Sequence, residues 1–459
     1  MKLSFDVVVR ATGARVFDAE RAPREVRIST DTRALNPGDI FLALRGERFD
    51  GHAYTAQAVA GGAAALVVDR ESARVPGVTT LLVGETLAAY MALGAAARER
   101  FSGRVIAITG STGKTTTKVL LAQLLENRYP TRVLAAPANE NNEIGVAKLL
   151  LEASNEAHDV LVVEMGARKY GDVATLVTMA RPHVGLLTNV GDAHLEIMGS
   201  RERLEETKWG LFSGGANAVL NLSDEASRRR APSLAGPARW FFAGESAPER
   251  PAGALCAVLG RDRLLVADAG SEPATRAVDV RVPGAHNRAN VAAAIAGALE
   301  LGVALDAIVA AVPSLTLPAG RFERIALARG PQLVYDAYNA SAAGTIAALD
   351  ALADESAACR IAVLGGMAEL GDEAVALHEC VGAHAAGIVD WLLAGGELAS
   401  ALANGAEAAG LPRQRIVRYA TNHDAAVWLR EHARRDDLVL LKGSRRYQLE
   451  EIVEELRNS

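Results

Sequence analysis

Short runs of consecutive apolar residues recur along the chain, and longer segments with helix-forming composition separate them. Runs without polar–apolar alternation are typical of parallel strands that are buried on both faces. The pattern therefore predicts an α/β fold built on parallel sheets. The predicted strands span residues 40–44, 65–68, 104–108, 160–163, 184–188, 332–335, 361–364, 391–394 and 438–441.

Changes in this pattern predict three domains, a number that also fits 459 residues at roughly 150 residues per domain. Residues 1–100 form a small α/β unit that ends at a hinge near Gly103. Residues 101–315 hold a central parallel sheet, to which short strands between residues 240 and 283 add an antiparallel part. Residues 316–459 form a second doubly wound, Rossmann-like unit.

Composition and charge narrow the function. Half of the residues are hydrophobic and the net charge is −6, so there is no basic field for nucleic acid or an anionic membrane. No uncharged apolar run approaches the ~20 residues of a membrane helix. Three scattered cysteines are typical of a reduced, cytoplasmic protein. We therefore expect a soluble protein that binds small molecules.

A glycine-containing turn joins the predicted strand 104–108 to a helix. Its backbone N–H groups and the helix N-terminus would face phosphate oxygens, Lys114 would bridge the outer phosphates, and Thr115 would ligate Mg²⁺. The strict phosphate-loop pattern wants a glycine where the chain has Ile108, so a glycine-rich turn with a surface lysine is the alternative. The predicted ATP contacts in this loop are Gly110, Ser111, Thr112, Gly113, Lys114, Thr115 and Thr116.

Two further residues are candidate metal ligands. Glu164 follows the apolar run 160–163, and a carboxylate at the tip of a parallel strand faces the ligand crevice. His194 lies beyond the next run, where a neutral imidazole can bind metal, although a lone histidine is as often structural. An ordinary strand-end glutamate is the alternative for Glu164. Lys208, taken alone, is typical of a solvated helix lysine.

A series of motifs occurs in a fixed order along the chain. They occupy residues 29–33, 46–52, 110–116, 139–145, 164–166, 188–190, 194, 283–290, 320–321, 336–339 and 442–445. In this order they resemble the Mur ligase family, the ATP-dependent amide-forming enzymes of peptidoglycan precursor assembly. The resemblance covers nearly the whole chain.

The resemblance implies a fold and a reaction. The fold has a UDP-binding domain, an ATPase domain and a Rossmann-like C-terminal domain. The loop 110–113, the Asn-rich stretch 139–145 and the segment 364–371 look most like members that add D-alanyl-D-alanine to UDP-N-acetylmuramoyl-tripeptide. The reaction would consume ATP, use two Mg²⁺ ions and pass through an acyl phosphate. We expect a monomer.

The resemblance also implies roles for individual residues. The catalytic residues would be Lys114, Glu164, His194 and Lys208. Glu164, His194 and Lys208 would bind metal together with Thr115, and Lys208 would be carbamylated. The remaining ATP contacts would be Asn290, Arg321 and Asp336. The UDP-sugar contacts would be Asp31, Thr32, Arg33 and His52. Candidates for the peptide and dipeptide pockets are Asn141, Asn142, Tyr338, Asn339, Lys442 and Ser444.

The chain departs from the family pattern at three places. The family usually has Asn-Pro where this chain has Ser341-Ala342, Gly-Asp-Met where it has Gly366 before Met367, and a proline near Ala147. The first two departures fall in the region expected to meet the dipeptide. They leave open a related ligase that adds a diamino acid, although its Asp-Asn-Pro-Arg signature is missing. Folate polyglutamate ligases and a non-catalytic, regulatory ATP-binding module are the remaining alternatives.

Overall fold

The structure is a computed structural model, and it describes residues 1–46, 49–191, 195–246, 249, 252–328 and 330–458. Most of the predicted apolar runs form buried strands of three large, mainly parallel sheets, with helices between successive strands. The predicted α/β fold class is confirmed.

The first sheet has five strands in the order β2-β7-β6-β5-β4, and only the β2–β7 pair is antiparallel. Strands β1 and β3 form a separate antiparallel pair. The strands are β1 Leu3–Ser4, β2 Arg15–Phe17, β3 Glu25–Val26, β4 Ile28–Ser29, β5 Ile40–Leu42, β6 Ala65–Val68 and β7 Thr79–Leu82. The helices are α1 Phe5–Thr12, α2 Thr55–Ala60 and α3 Thr86–Arg100.

The central sheet has nine strands, with β8 between β10 and β11. Its strands are β8 Arg104–Thr109, β9 Val133–Ala135, β10 Val160–Glu164, β11 Val184–Leu187, β12 Asn217–Asn221, β13 Arg239–Gly244, β14 Ala254–Leu259, β15 Arg263–Ala267 and β16 Ala274–Ala277. Its helices are α4 Lys114–Leu125, α5 Glu143–Glu152, α6 Asp172–Ala180, α7 Leu195–Met198, α8 Arg201–Trp209, α9 Glu225–Arg230, α10 Ala285–Glu300 and α11 Leu305–Ala311.

The strands predicted as an antiparallel addition continue this same sheet. β13 pairs in parallel with both β12 and β14, and antiparallel pairing begins only at β14–β15 and continues to β16. The predicted antiparallel part is therefore shorter than expected. The switch occurs at β14–β15 because the short turn at residues 260–262 that joins these two strands permits only antiparallel pairing.

The third sheet has six strands in the order β17-β18-β22-β19-β20-β21, and only the β17–β18 pair is antiparallel. The strands are β17 Glu323–Ala326, β18 Gln332–Tyr335, β19 Arg360–Leu364, β20 Trp391–Ala394, β21 Ile416–Arg418 and β22 Leu438–Lys442. The helices are α12 Ala342–Ala353, α13 Ala374–Ala386, α14 Ala399–Ala408, α15 Asn422–His432 and α16 Glu450–Arg457.

The hydrophobic cores divide the molecule differently from the sheets. One core runs without a break from the first sheet, through α3, to α5 and α6 of the central sheet. The opposite face of the central sheet packs against α4 and α10 in a second core. The third sheet has separate cores on its two faces, built from residues after 320. None of the helices that the structure describes is both long enough and apolar enough to cross a membrane.

Candidate active site

The loop between β8 and α4 turns through two glycines in the left-handed half of backbone space. Gly110 has φ 145° and Gly113 has φ 81°. A Cβ at Gly110 would lie 1.9 Å from the Thr188 hydroxyl oxygen, and one at Gly113 would lie 2.4 Å from Asn290 Oδ1. Only glycine fits either position, so the loop can bring its backbone close to a ligand.

Residues that follow β11 hold this loop in shape. The Thr188 hydroxyl donates to the Thr112 carbonyl at 2.6 Å, and Asn189 Oδ1 accepts the Thr112 N–H at 3.1 Å. The Ser111 N–H donates to the Asn189 carbonyl at 3.0 Å. Sequence reasoning placed Thr188 and Asn189 in a motif but gave them no role. Their position directly after an apolar strand was the sequence feature that could have indicated a role, because the carboxyl ends of parallel strands face the ligand crevice.

Lys114 begins α4 and curls back over the loop. Its Nζ donates to the Gly110 and Ser111 carbonyls at 2.7 and 3.1 Å. Loss of water around Nζ lowers the pKa of Lys114, an effect that nearby Glu164 opposes and Arg321 reinforces. Among the described residues, its hydrogen-bond acceptors are these two carbonyls. An anion at this position would be a stronger partner for the ammonium, as the predicted phosphate-bridging role requires.

Glu164, the last residue of β10, contacts three polar side chains of the site. It is 1% exposed. Its Oε1 accepts from the Thr115 hydroxyl at 3.2 Å and from Asn141 Nδ2 at 2.8 Å. Lys118 Nζ lies 3.1 Å from its other oxygen, Oε2. The residue predicted as a metal ligand is thus a buried carboxylate with a hydroxyl beside it.

This donor set fits Mg²⁺. Octahedral Mg²⁺ with ligands at about 2.1 Å places neighbouring ligand oxygens about 3 Å apart. The Thr115 hydroxyl and Glu164 Oε1 are 3.2 Å apart, so one cation can contact both. Within the described part of the chain, no three His, Cys, Asp or Glu side chains gather into a metal cluster. A cation here would therefore take further oxygens from phosphate or water.

Lys208 is fully buried, so the solvated-lysine alternative is wrong. Among the described residues, its Nζ has no hydrogen-bond partner. Burial holds the pKa of Lys208 well below its usual value, the Lys114 charge lowers it further, and Asp172 opposes the shift. A buried amine without a hydrogen-bond partner is uncommon in folded proteins. His194 lies outside the described residues.

The third domain presents two predicted residues toward the loop. The Arg321 guanidinium lies over the Tyr338 ring, 4.4 Å from its centre. Its charge lowers the pKa of Lys114, and burial, together with the charge of Glu164, raises the pKa of Tyr338. Asp336 Oδ2 pairs with Lys442 Nζ at 3.0 Å, and Lys442 also donates to the Asn339 carbonyl at 2.7 Å. These buried contacts fix the segment that carries Arg321 and Tyr338.

Several predicted residues have structural bonds of their own. Asn290, on α10, accepts from the Thr117 hydroxyl at 3.3 Å and so lies at the start of α4. Asn142 caps α5 by accepting the Gly145 N–H at 3.0 Å. Ser444 Oγ accepts the Ala368 N–H at 2.9 Å. Asn141 and Asn290 adjoin the loop, whereas Asn142 and Ser444 shape neighbouring turns.

The candidates in the first domain form two groups. Arg33 and Asp31 make a surface ion pair at 2.7 Å beside Thr32, and this pairing lowers the pKa of Asp31 to about 2. His52 is buried, with Nδ1 2.7 Å from Asp50 Oδ1 and Nε2 accepting the Asp69 N–H at 3.2 Å. The exposed pair can meet a ligand, whereas His52 has both nitrogens engaged.

Lys118 is the residue that sequence reasoning missed. It is 1% exposed and faces Glu164 from the second turn of α4. A lysine four positions after Lys114, among residues that are otherwise apolar or hydroxyl-bearing, was the signal, because the spacing places both on one helix face.

The chain is similar to Mur ligases along most of its length. Family models match three segments: "Mur ligase family, catalytic domain" over residues 26–95, "Mur ligase middle domain" over 108–298 and "Mur ligase, glutamate ligase domain" over 320–445. The UDP-N-acetylmuramoyl-tripeptide--D-alanyl-D-alanine ligase of Escherichia coli K12 is 36% identical over 445 residues, with 94% of each chain covered.

Solved structures agree with the sequence relatives. A crystal structure of MurF from Acinetobacter baumannii has a TM-score of 0.85 at 29% identity, covering 100% of this chain and 99% of that one. MurF from Thermotoga maritima in complex with ADP has a TM-score of 0.79 at 28% identity, covering 96% and 98%.

Proposed function

The chain belongs to the Mur ligase family, and from this membership we propose that it joins D-alanyl-D-alanine to UDP-N-acetylmuramoyl-tripeptide. It is an ATP-dependent ligase that forms an amide bond and releases ADP and phosphate. The observation that carries the proposal is the buried Glu164 beside Thr115 at the end of a loop that only glycine can form. The likeness to dipeptide-adding relatives over 94% of the chain supports the choice of acceptor.

The chemistry explains why ATP is needed. A carboxylate is a poor acyl donor because its leaving group would be an oxide. A carboxylate oxygen of the tripeptide therefore attacks the γ-phosphorus, the bond to ADP breaks, and an acyl phosphate forms. The free amine of D-alanyl-D-alanine then attacks the carbonyl carbon, loses a proton and expels phosphate. An α-amino pKa near 8 leaves enough neutral amine at neutral pH, so no strong base is required.

The main task of the enzyme is to hold two anions, ATP and the tripeptide carboxylate, close together, and cationic residues at the loop would do this. Lys114 already turns its ammonium toward the loop carbonyls and would exchange these for phosphate oxygens. Arg321, from the third domain, is close enough for its charge to lower the pKa of Lys114 and would add a second cation. Thr115 and Glu164 would hold one Mg²⁺, which when bound neutralises phosphate charge.

We propose a second Mg²⁺ with His194 and Lys208 among its ligands. A protonated lysine repels metal, whereas its carbamate offers oxygen ligands. The neutral amine attacks CO₂, forms the new N–C bond and releases one proton. The partnerless, buried Nζ of Lys208 supports this modification. If either Lys208→Ala or CO₂-depleted buffer leaves the ligation rate unchanged, the carbamate is not used.

The exposure of the remaining predicted residues suggests which of them would contact the UDP-sugar and the peptide directly. Arg33 is exposed and can bind pyrophosphate through paired N–H donors once it leaves Asp31, with Thr32 beside it. His52 would act on the UDP-sugar indirectly, by holding Asp50 and Asp69. Asn141 and Tyr338 flank the Glu164 region and would face the peptide.

One experiment separates the possible functions. Purified protein, ATP and Mg²⁺ are combined with UDP-N-acetylmuramoyl-tripeptide, and phosphate release is compared with D-alanyl-D-alanine, with a diamino acid and with no acceptor. A second set uses UDP-N-acetylmuramoyl-dipeptide with a diamino acid and with no acceptor. We expect release above the no-acceptor rate with the dipeptide alone. Release with a diamino acid supplied with UDP-N-acetylmuramoyl-dipeptide would identify the related ligase, and nucleotide binding without release under any condition would identify a regulatory module.

A further inference from the structure

Lys118 occupies an unusual position for a lysine. It lies on α4 one turn beyond Lys114, its side chain is 2% exposed, and its Nζ is 3.1 Å from Glu164 Oε2. The same Nζ donates a hydrogen bond to the Ala138 carbonyl. A single buried ammonium therefore joins the phosphate helix, the candidate metal ligand and the loop that follows β9.

The loop after β9 needs such a restraint. Ala138 has φ 46°, a left-handed conformation that is unfavourable for alanine. Three residues further on, Asn141 Nδ2 donates to Glu164 Oε1 at 2.8 Å. The loop therefore contacts Glu164 in two ways. Asn141 bonds Oε1 directly, and the Ala138 carbonyl is linked to Oε2 through the Lys118 ammonium.

We propose that Lys118 is a positioning residue that fixes which carboxylate oxygen of Glu164 faces Thr115 and, at the same time, clamps the loop carrying Asn141. With Oε2 beside Lys118, only Oε1 is presented next to the Thr115 hydroxyl. Because the loop and the carboxylate share this anchor, the metal subsite and the peptide subsite are mechanically linked. The peptide half of this inference rests on the proposed function.

A simple charge-balancing role makes the opposite prediction. Removing a positive charge 3.1 Å from Glu164 would leave a stronger negative site, and a divalent cation would then bind more tightly. Removing a positioning group would leave the carboxylate free to turn, and the cation would bind more weakly. The direction of the change in Mg²⁺ affinity therefore separates the two roles.

The test uses Lys118→Met, with Lys148→Met as the matched control. Lys148 pairs with Glu140 in the same region but is 42% exposed. ADP binding is measured calorimetrically over a range of Mg²⁺ concentrations, with no other substrate. We expect the half-saturating Mg²⁺ concentration to rise by about tenfold in Lys118→Met, as for other residues that orient a metal ligand, and to stay unchanged in Lys148→Met. An unchanged or lower value in Lys118→Met overturns the proposal.

Two further measurements address the loop and the risk of misfolding. Amide hydrogen exchange of residues 138–141 in the ligand-free protein should speed up in Lys118→Met and not in Lys169→Met, a control whose side chain is 75% exposed, and equal exchange in both variants would overturn the clamp. If Lys118→Met does not fold, Lys118→Gln, which keeps one donor, takes its place with the same expected direction. None of these measurements needs the tripeptide or the dipeptide, so failure of the proposed ligation leaves this test intact.

Discussion

Gly113 shows how a single residue limits the phosphate loop. Its φ of 81° and the 2.4 Å distance that would separate an added Cβ from Asn290 Oδ1 both forbid a side chain. We expect Gly113→Ala to weaken ADP binding at least about tenfold, because the loop or Asn290 must move. Calorimetric titration with ADP and Mg²⁺ measures this. Gly215→Ala is the control, since Gly215 has φ 76° and, chain neighbours aside, no described residue has a heavy atom within 4 Å of a Cβ there. Equal losses in both variants would mean that backbone strain alone explains the effect.

Gly366 shows a departure from the family that the structure explains. A Cβ there would lie 2.3 Å from the Tyr447 hydroxyl, so Tyr447 fills the space that the usual aspartate would need. We expect Gly366→Asp to lower the thermal midpoint, because it buries a carboxylate against this hydroxyl. The double variant Gly366→Asp/Tyr447→Ala should recover part of the loss. If Gly366→Asp were as stable as the parent protein, the loop 365–370 would have moved to accommodate the aspartate, and the prediction would be wrong.

At the scale of elements, the Ser341-Ala342 departure concerns the start of α12. Ser341 Oγ accepts the Gly344 N–H at 3.2 Å, which is the bond an asparagine cap would make, and Ala342 takes the first helical position, where proline is also favoured. We expect Ser341→Ala to destabilise the third domain by about 1 kcal/mol and Ser341→Asn to be neutral. Urea denaturation measures both. If Ser341→Asn changed the choice between the dipeptide and a diamino acid, the residue would belong to the acceptor pocket.

Elements with strong local patterns could be predicted from the sequence. β18 and β20 match the predicted residues 332–335 and 391–394, because each is an apolar run bounded by polar or turn residues. β9 and β21 were not predicted because they are short and only partly buried. The parallel pairing of β13 depends on its neighbours and has no local signal. The same limit hid Lys118, since the sequence cannot show that the loop with Ala138 covers that face of α4.

The loop 110–116 and Glu164 could each be predicted because each follows an apolar strand of a parallel sheet, whose carboxyl ends meet at one edge. The structure shows that their strands, β8 and β10, are neighbours. The contributions of Arg321 and Tyr338 could be placed only through the family resemblance. They depend on how the third domain is set against the second, which no periodicity in either domain encodes.

At the scale of the whole molecule, the cores indicate where movement is possible. A hinge near Gly103 is poorly suited to rotation, because a Cβ there would lie 2.4 Å from the Asp159 carbonyl and one core continues across it. The cores of the third sheet are separate. In the connection at residues 315–320, Leu315 belongs to the second core and Leu317 packs against both that core and one core of the third sheet. The Gln123 side chain bonds the Thr316 carbonyl at 2.9 Å and its N–H at 3.0 Å.

We therefore expect the third domain to close on the other two as one body when ATP and UDP-N-acetylmuramoyl-tripeptide are both bound. Arg321 and Lys114 carry like charges, and a triphosphate between them would turn mutual repulsion into joint attraction. Small-angle scattering should record a radius of gyration that falls toward the roughly 23 Å of a compact chain of this length. Lys114→Ala, which loses the phosphate contact, should show no compaction under the same conditions. Identical curves for the parent protein with and without both ligands would mean that the domains meet the substrates without closing.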